Sequence, residues 1–278
     1  MSVASVPPRQ AGKREEHGGP IISGGRLPEG QRRAYDIAAA AYDAERYEST
    51  EGRFFNDVEI EVLREWLRPS AGFRLLELPA GTGRVAIPLA ASGATVVGGD
   101  ISENMLRAAL DKKRRDGVTH AHFAQLNGLG LPFADNTFDA VTSFKFFHLV
   151  PNELKRAFVE EMARVTKPGG KVIIEFNSPY YGGVLAFYRY YFRKRKPGGM
   201  RQKCLFPDQV PALFAGLTVR RRLGVKLPFA GALSRIVGHR AVAAMNRVIG
   251  SIPGLRYVTY AILIEAEKAH PVASRVGR

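Results

Sequence analysis

Cysteine is almost absent from this chain of 278 residues: Cys204 is the only one. That excludes an internal disulfide, argues against a thiolate metal site and points to a reducing compartment. Long apolar runs are also missing. Runs such as Tyr260-Ala261-Ile262-Leu263-Ile264 fall far short of the roughly 20 residues a bilayer-spanning helix needs. The N-terminal stretch has no apolar segment of the signal-peptide kind, and Glu15 and Glu16 argue against a transit peptide. Acidic residues become scarce after Gly170. Residues 171–278 hold 19 Lys/Arg and 4 Asp/Glu, whereas residues 1–170 hold 22 of each, so the whole net charge of +15 lies in the C-terminal part. Positive charge concentrated in this way predicts an acidic partner: anionic lipid headgroups, nucleic acid, or a phosphorylated or carboxylated substrate. Histidine is sparse too. His120 and His122 alternate along one expected strand, but no acid or cysteine stands where it would complete a metal site, and they read as a surface strand end.

At 45% hydrophobic content the chain can bury a large core, and one domain with an elaborated cap is expected. Its organising stretch is Leu75-Leu76-Glu77-Leu78-Pro79-Ala80-Gly81-Thr82-Gly83-Arg84-Val85-Ala86. An apolar run ends in an acid, passes through a Pro/Gly turn and opens into a segment able to form a helix, which is the layout of a nucleotide-binding loop. Gly81 and Gly83 allow a tight turn and close approach of a ligand, and a helix from about Arg84 would point free N–H groups at it. Ala94 to Asp100 is a second apolar strand ending in an acid, one strand-helix-strand unit beyond Glu77. A carboxylate there can accept two hydrogen bonds from a ribose diol. The nicotinamide-type fingerprint asks for a third glycine where this chain has Ala86, so the pair Glu77 and Asp100 suits another cofactor better.

At these residues the sequence resembles the class I S-adenosylmethionine (SAM)-dependent methyltransferases, in particular the type 11-like group acting on small molecules and lipids. The resemblance covers roughly Tyr35 to Lys268. Glu77 to Gly83 looks like the family's glycine-rich loop, and Asp100-Ile101-Ser102-Glu103-Asn104-Met105-Leu106 like its ribose-binding strand end. Asn127 through Asp139 looks like the adenine strand end and the approach to the fourth strand, and Glu161 to Gly170 like the helix and turn into the fifth. Pro79 and Asn127 depart from the pattern, the first replacing a glycine and the second an Asp; Asn can still accept from an adenine amino group. The resemblance implies SAM as cofactor, with Glu77 near its amino group, Ala80, Gly81 and Gly83 forming the loop, Asp100 and Ile101 at the ribose, Asn127 at the adenine and Tyr35 closing over the methionine end. His148, at the expected C-terminal edge of the sheet, is the candidate base for a hydroxyl or amine acceptor.

The expected fold is a three-layer α/β/α Rossmann-like sandwich with a seven-stranded, mostly parallel sheet whose last strand is antiparallel. Residues 1–31 read as a disordered leader, 32–268 as the domain, and 269–278 as a flexible tail. Within the domain, residues 32–68 form cap helices, the second from about Phe54 to Leu67, and residues 178–256 carry lid and strand-six insertions. Strands are expected at 74–78, 94–100, 121–125, 138–144, 171–176, 217–223 and 257–267, with helices over 84–91, 102–115 and 151–166. Tyr180 to Lys196 sets seven aromatics ahead of a basic cluster. Ala230 to Gly250 is expected as one helix with Leu233, Val237, Ala241, Ala244, Met245 and Val248 on one arc and Arg235, His239, Arg240, Asn246 and Arg247 on the other. Together they suit an interfacial lid on a membrane, although the aromatics could also stack on single-stranded bases. The expected function is methyl transfer to O, N or C of a small or lipid-like acceptor, anionic or membrane-associated, by a cytoplasmic protein able to contact an anionic membrane peripherally. An RNA methyltransferase and a non-catalytic SAM-fold scaffold are the alternatives, nucleic acid being the weaker partner.

Overall fold

The computed structural model describes residues 29–178, 204 and 206–270. The aromatic-basic stretch 180–196 therefore lies outside the described residues. Three cap helices come first, α1 (Glu29–Ala38), α2 (Tyr42–Tyr47) and α3 (Thr50–Leu67). The body follows as β1 (Arg74–Glu77), α4 (Ala86–Ala90), β2 (Thr95–Asp100), α5 (Glu103–Arg115), β3 (Ala121–Gln125), β4 (Phe138–Ser143), α6 (Asn152–Val165) and β5 (Thr166–Asn177). After it come α7 (Val210–Leu213), β6 (Leu217–Val225), α8 (Ala230–Val237), α9 (His239–Ser251) and β7 (Ala261–Lys268). No described helix is long and apolar enough to cross a membrane.

The strands lie in the order β3-β2-β1-β4-β5-β7-β6. The first five are parallel, and β7 runs antiparallel between β5 and β6. Apolar residues occur in runs because both faces of the sheet are covered. Leu75, Ala140, Ile173 and Leu263 face one core with Phe54, Leu63, Leu89 and Val242. Their neighbours Leu76, Val141, Val172, Ile174 and Ile264 face the other with Phe158, Met162 and Leu213. Helices pack on both cores, giving the three layers. Strand order reverses between β1 and β4, so the C-terminal ends of β1, β2 and β4 open a crevice there.

Several boundaries differ from the sequence-based expectation for local reasons. The first cap helix, expected from Arg32 with both Tyr35 and Tyr42 on it, runs Glu29–Ala38 and leaves Tyr42 on α2, and the helix expected from about Phe54 starts at Thr50. Residues 81–85 form a turn and α4 starts only at Ala86, because Gly83 takes φ +77°. The expected turn 167–170 is absorbed into β5 as a register shift between Phe138↔Thr166 and Ala140↔Lys171. Strand β7 starts at Ala261 because Leu255–Val258 form a tight helical turn, closed by Thr259 Oγ1 donating to Arg256 O at 2.7 Å.

The expected helix over 230–250 is two helices, broken at Gly238, whose φ of +89° ends α8. Asn246 belongs to the buried side of α9, not to a polar face. Its Oδ1 accepts from Leu227 N at 3.1 Å and its Nδ2 donates to Gly224 O at 3.4 Å. With Val242, Ala243 and Gly250 also buried, Val237, Met245 and Val248 are left facing solvent. The docking is close: a β-carbon on Gly250 would lie 1.9 Å from the carbonyl oxygen of Gly224. Gly250→Ala, which in an open helix gains about 0.5–1 kcal/mol, is therefore expected to cost roughly 1–3 kcal/mol. Urea unfolding should show a lower midpoint; an unchanged one would contradict the tight α9–β6 contact.

Candidate cofactor and substrate site

Asp100, the last residue of β2, holds the loop after β1. Its Oδ2 accepts from Gly81 N at 2.8 Å and its Oδ1 from Ser102 N at 2.9 Å. Burial pushes this carboxyl up against the opposing pull of the Ser102, Gly81 and Ile101 N–H groups, and the net direction is upward. Ala80 N donates to Gly99 O at 2.8 Å, fixing the loop to the end of β2. The two loop glycines do different work. Gly81, at φ +52°, would project a β-carbon into open space, whereas one on Gly83 would meet Ile87 Cδ1 at 2.8 Å and Phe123 Cζ at 3.0 Å. Gly83 thus serves packing of the loop against α4 and β3.

The cap is tied over this loop by two aspartates, Asp36 and Asp43, each following a tyrosine. Ser102 Oγ donates to Asp36 Oδ1 at 2.5 Å and Asn104 Nδ2 to Asp36 O at 3.1 Å, anchoring α1 to the start of α5. Thr82 Oγ1 donates to Asp43 Oδ1 at 2.6 Å, and Lys112 pairs with the same carboxylate, anchoring α2. Between cap and strand ends lies a cavity of about 710 Å3, counting the part open to solvent. Tyr35, Glu77, Ala80, Gly81, Asp100 and Ile101 all line it, joined by Tyr42, Tyr47, Arg84, Phe144, Lys145, Phe146 and Leu149. Burial raises all three tyrosines, Tyr42 to about 12, so they stay neutral near pH 7.

Gly83, Asn127 and His148 are not among the lining residues. Asn127 uses its Oδ1 to accept from Leu129 N at 3.1 Å. His148 is half-buried in the turn after β4, while its neighbours Phe146 and Leu149 reach the cavity. His122 is exposed on β3 and His120 is exposed just ahead of it.

A buried ionic cluster that sequence reading did not find underlies the cavity. Arg84 NH1 lies 2.6 Å from Glu59 Oε2. The Lys226 ammonium sits between Glu59 and Glu175, and Lys145 Nζ lies 3.2 Å from Glu175 Oε1 while its backbone N donates to Glu175 Oε2 at 3.0 Å. Burial pushes the Glu175 carboxyl up, but Lys145, Lys226 and Arg84 outweigh it and hold the group far below the usual carboxylate range. A sequence signal existed: Glu175 interrupts the apolar run Val172-Ile173-Ile174-Glu175-Phe176, and a charge inside a buried strand requires partners.

Glu77 differs from these acids. It is buried at the end of β1, its Oε2 has no hydrogen-bond partner, and burial pushes its carboxyl well above the ordinary value despite Arg84. A buried, unpaired carboxylate oxygen facing a cavity suits a cationic ligand group. SAM would offer an ammonium to Glu77, a ribose diol to the remaining lone pairs of Asp100, and a chain to lie along Gly81. The residues present fit the cofactor.

A family model described as a methyltransferase domain matches residues 75–170. The demethylmenaquinone methyltransferase of Corynebacterium urealyticum is 45% identical over 136 residues, 48% of this chain and 55% of its own length. That of Renibacterium salmoninarum is 38% identical over 174 residues, 58% of this chain and 68% of its own length. The chain spans between about half and two thirds of the length of these relatives. Magnesium protoporphyrin IX methyltransferase from Synechocystis, solved with bound SAH, shares the fold at a TM-score of 0.58 and 16% identity, covering 86% of this chain and 99% of that one. With sheet order, loop and relatives in agreement, the chain belongs to the class I SAM-dependent methyltransferases.

Proposed function

We propose that this protein transfers a methyl group from SAM to a small, lipid-like aromatic acceptor of the quinone class at a membrane surface. The observation that carries the reading is a single cavity in which Asp100 and the unpaired Glu77 share the lining with an apolar wall of Phe144, Phe146 and Leu149. The first set suits the cofactor and the second a flat ring; relatives named demethylmenaquinone methyltransferase support the quinone class. SAM supplies an activated methyl on a sulfonium with a good leaving group. The protein's contribution is then alignment in a cavity that excludes water.

The outer face of α8 and α9 supports the membrane contact. Phe229, Ile236 and Val248, on or next to these helices, are 79%, 81% and 61% exposed, Met245, Ile252 and Leu255 are exposed as well, and so are Arg235 and Arg240. Lys or Arg near an anionic surface contributes about 1 kcal/mol each, and a cytoplasmic protein peripheral to a membrane is the corresponding placement. The basic excess is less available to RNA than composition suggests, because Arg220, Arg221 and Arg247 pair with Glu267, Glu265 and Glu65.

The test is incubation of the protein with SAM and demethylmenaquinol in phosphatidylglycerol vesicles, with mass spectrometry of the acceptor. Methylated quinol is expected. Methylation of RNA alone would transfer the reading to nucleic acid, and bound SAM with no turnover on any acceptor would favour the scaffold. Ile236→Asp with Val248→Asp should reduce vesicle co-sedimentation by roughly tenfold and leave SAM affinity unchanged; undiminished sedimentation would remove α8 and α9 from the contact.

A further inference from the structure

We propose that the Lys145 ammonium binds an oxyanion of the methyl acceptor, so that the site selects a ring bearing an ionised hydroxyl. This rests on the reading of the cavity as the site of methyl transfer and specifies the charge of its acceptor.

The first support is the charge balance of the cluster beneath the cavity. Arg84, Lys145 and Lys226 interlock as cations with two carboxylates, Glu59 and Glu175; burial lowers the Lys226 amine, and the two carboxylates in contact with it oppose that. One positive charge is in excess, and a buried excess charge seeks a counter-ion. Glu77 could supply it, but its unpaired Oε2 is the atom that fits the cofactor's ammonium. With that atom committed, the excess remains. Arg84 and Lys145 both line the cavity, and Lys145 is the more open of the two. The Arg84 and Lys226 side chains are 10% and 3% exposed, whereas that of Lys145 is 30% exposed and lines the cavity beside Phe144 and Phe146.

The second support is backbone geometry. Lys145 takes φ +55°, a left-handed conformation that a residue with a β-carbon adopts at a cost and glycine adopts freely. Strained positions of this kind gather at functional sites. Here the conformation lets the backbone N–H and the ammonium of one residue grip both oxygens of Glu175, which fixes the ammonium at the cavity wall. Burial alone would lower this amine, but Glu175 and Glu59 outweigh it and raise it above its ordinary value, so it stays charged at neutral pH.

A fixed cation in a partly dehydrated cavity favours the ionised form of a neighbouring hydroxyl. Ionisation makes a hydroxylated ring nucleophilic at oxygen and at the adjacent carbons, so binding and activation coincide. The competing ligand for Lys145 is the carboxylate of the cofactor, and the test separates the two.

The full chain, saturated with SAH, is titrated calorimetrically at neutral pH with lawsone, a hydroxynaphthoquinone ionised under those conditions, and with its neutral methyl ether. Wild type is expected to bind the anion at least about tenfold more tightly. In Lys145→Met the two affinities should converge while SAH binding and the affinity for the ether hold; Lys145→Arg should keep the preference. Glu175 retains Lys226 in both variants, and the affinities for SAH and for the ether report that the site remains folded. A preference that persists in Lys145→Met overturns the proposal, as does equal binding or no binding of the probes by wild type. Loss of SAH affinity in Lys145→Met assigns the lysine to the cofactor and also overturns it. Quinol turnover without anion preference fails this inference alone, whereas anion preference without turnover fails only the quinone reading.

Discussion

Asp100→Ala is expected to weaken SAM binding by at least about a hundredfold in calorimetric titration. Two separate losses add. The first is direct: a hydrogen bond to an ionised acceptor contributes about 1.5–3 kcal/mol, and a ribose diol offers two. The second acts through the loop. The two Asp100 oxygens accept from the backbone N–H groups of Gly81 and Ser102, so alanine releases the loop that Gly81 presents to the ligand and strips Ser102 N of its partner. About 3 kcal/mol in total corresponds to more than a hundredfold in affinity. Asp100→Asn separates the contributions. Asparagine offers one carbonyl oxygen and an NH2 group, so it can satisfy either Gly81 N or Ser102 N and must turn a donor toward the other. Its affinity should lie between wild type and alanine, and its apo form should melt below wild type. Alanine affinity within about threefold of wild type would remove Asp100 from the cofactor site.

The elements legible in the sequence are those whose determinants are local. Strand β3 falls at Ala121–Gln125 and β2 ends at Asp100, as apolar runs between turn residues imply. Helix α5 begins after Ser102 because that side chain caps it, accepting from Met105 N at 3.2 Å. The elements misread are those decided by partners far along the chain. A continuous apolar arc from Leu233 to Val248 implied one helix, but Gly238 breaks it. The buried side of α9 is chosen by Asn246 and Gly250 meeting Gly224 and Leu227, contacts that no periodicity within the helix encodes.

Charge behaves the same way. The division into a balanced first part and a basic second part is correct as composition, yet α3 carries much of the answering charge. Its Glu59 meets Lys226, its Glu65 meets Arg247, and its Glu51 accepts from Gly231 N. For the site, the loop acids were readable because acid, turn and helix follow one another within a dozen residues. Arg84, Lys145, Glu175 and Lys226 were not, because their partners lie between 25 and 51 positions away, with Glu59 and Lys226 further apart still. Gly83 was legible as a glycine of a tight turn, which its φ of +77° bears out, whereas its close packing against Ile87 and Phe123 had no local signal.

Glu77→Gln should move stability and binding in opposite directions, which distinguishes a ligand-binding carboxylate from a structural one. Burial raises the folded-state pKa of Glu77 well above its unfolded value, with Arg84 opposing and Glu59 adding to the rise. A carboxyl raised in this way contributes stability that is fully present below the unfolded pKa of about 4.3 and is lost as pH rises through the folded value. Near pH 7 the apo protein therefore carries a cost at Glu77 that a neutral glutamine of the same shape does not, and the apo variant should melt higher than wild type. Its melting temperature should also fall less steeply as pH is raised from 5 to 8. The cofactor reverses the sign. An ammonium against Glu77 Oε2 stabilises the ionised form, so wild type should bind SAM more tightly as pH rises and release a proton on binding. Glutamine can offer only a neutral acceptor there, and charge-assisted bonds are about twice as strong as neutral ones. Affinity should fall by roughly ten- to a hundredfold, and the Glu77 part of the pH dependence should vanish, leaving the share due to Asp100. Titration in buffers of different ionisation enthalpy measures the proton directly. A variant that melts lower than wild type and binds SAM unchanged would make Glu77 a structural partner of Arg84, and the unpaired oxygen would then mark no ligand.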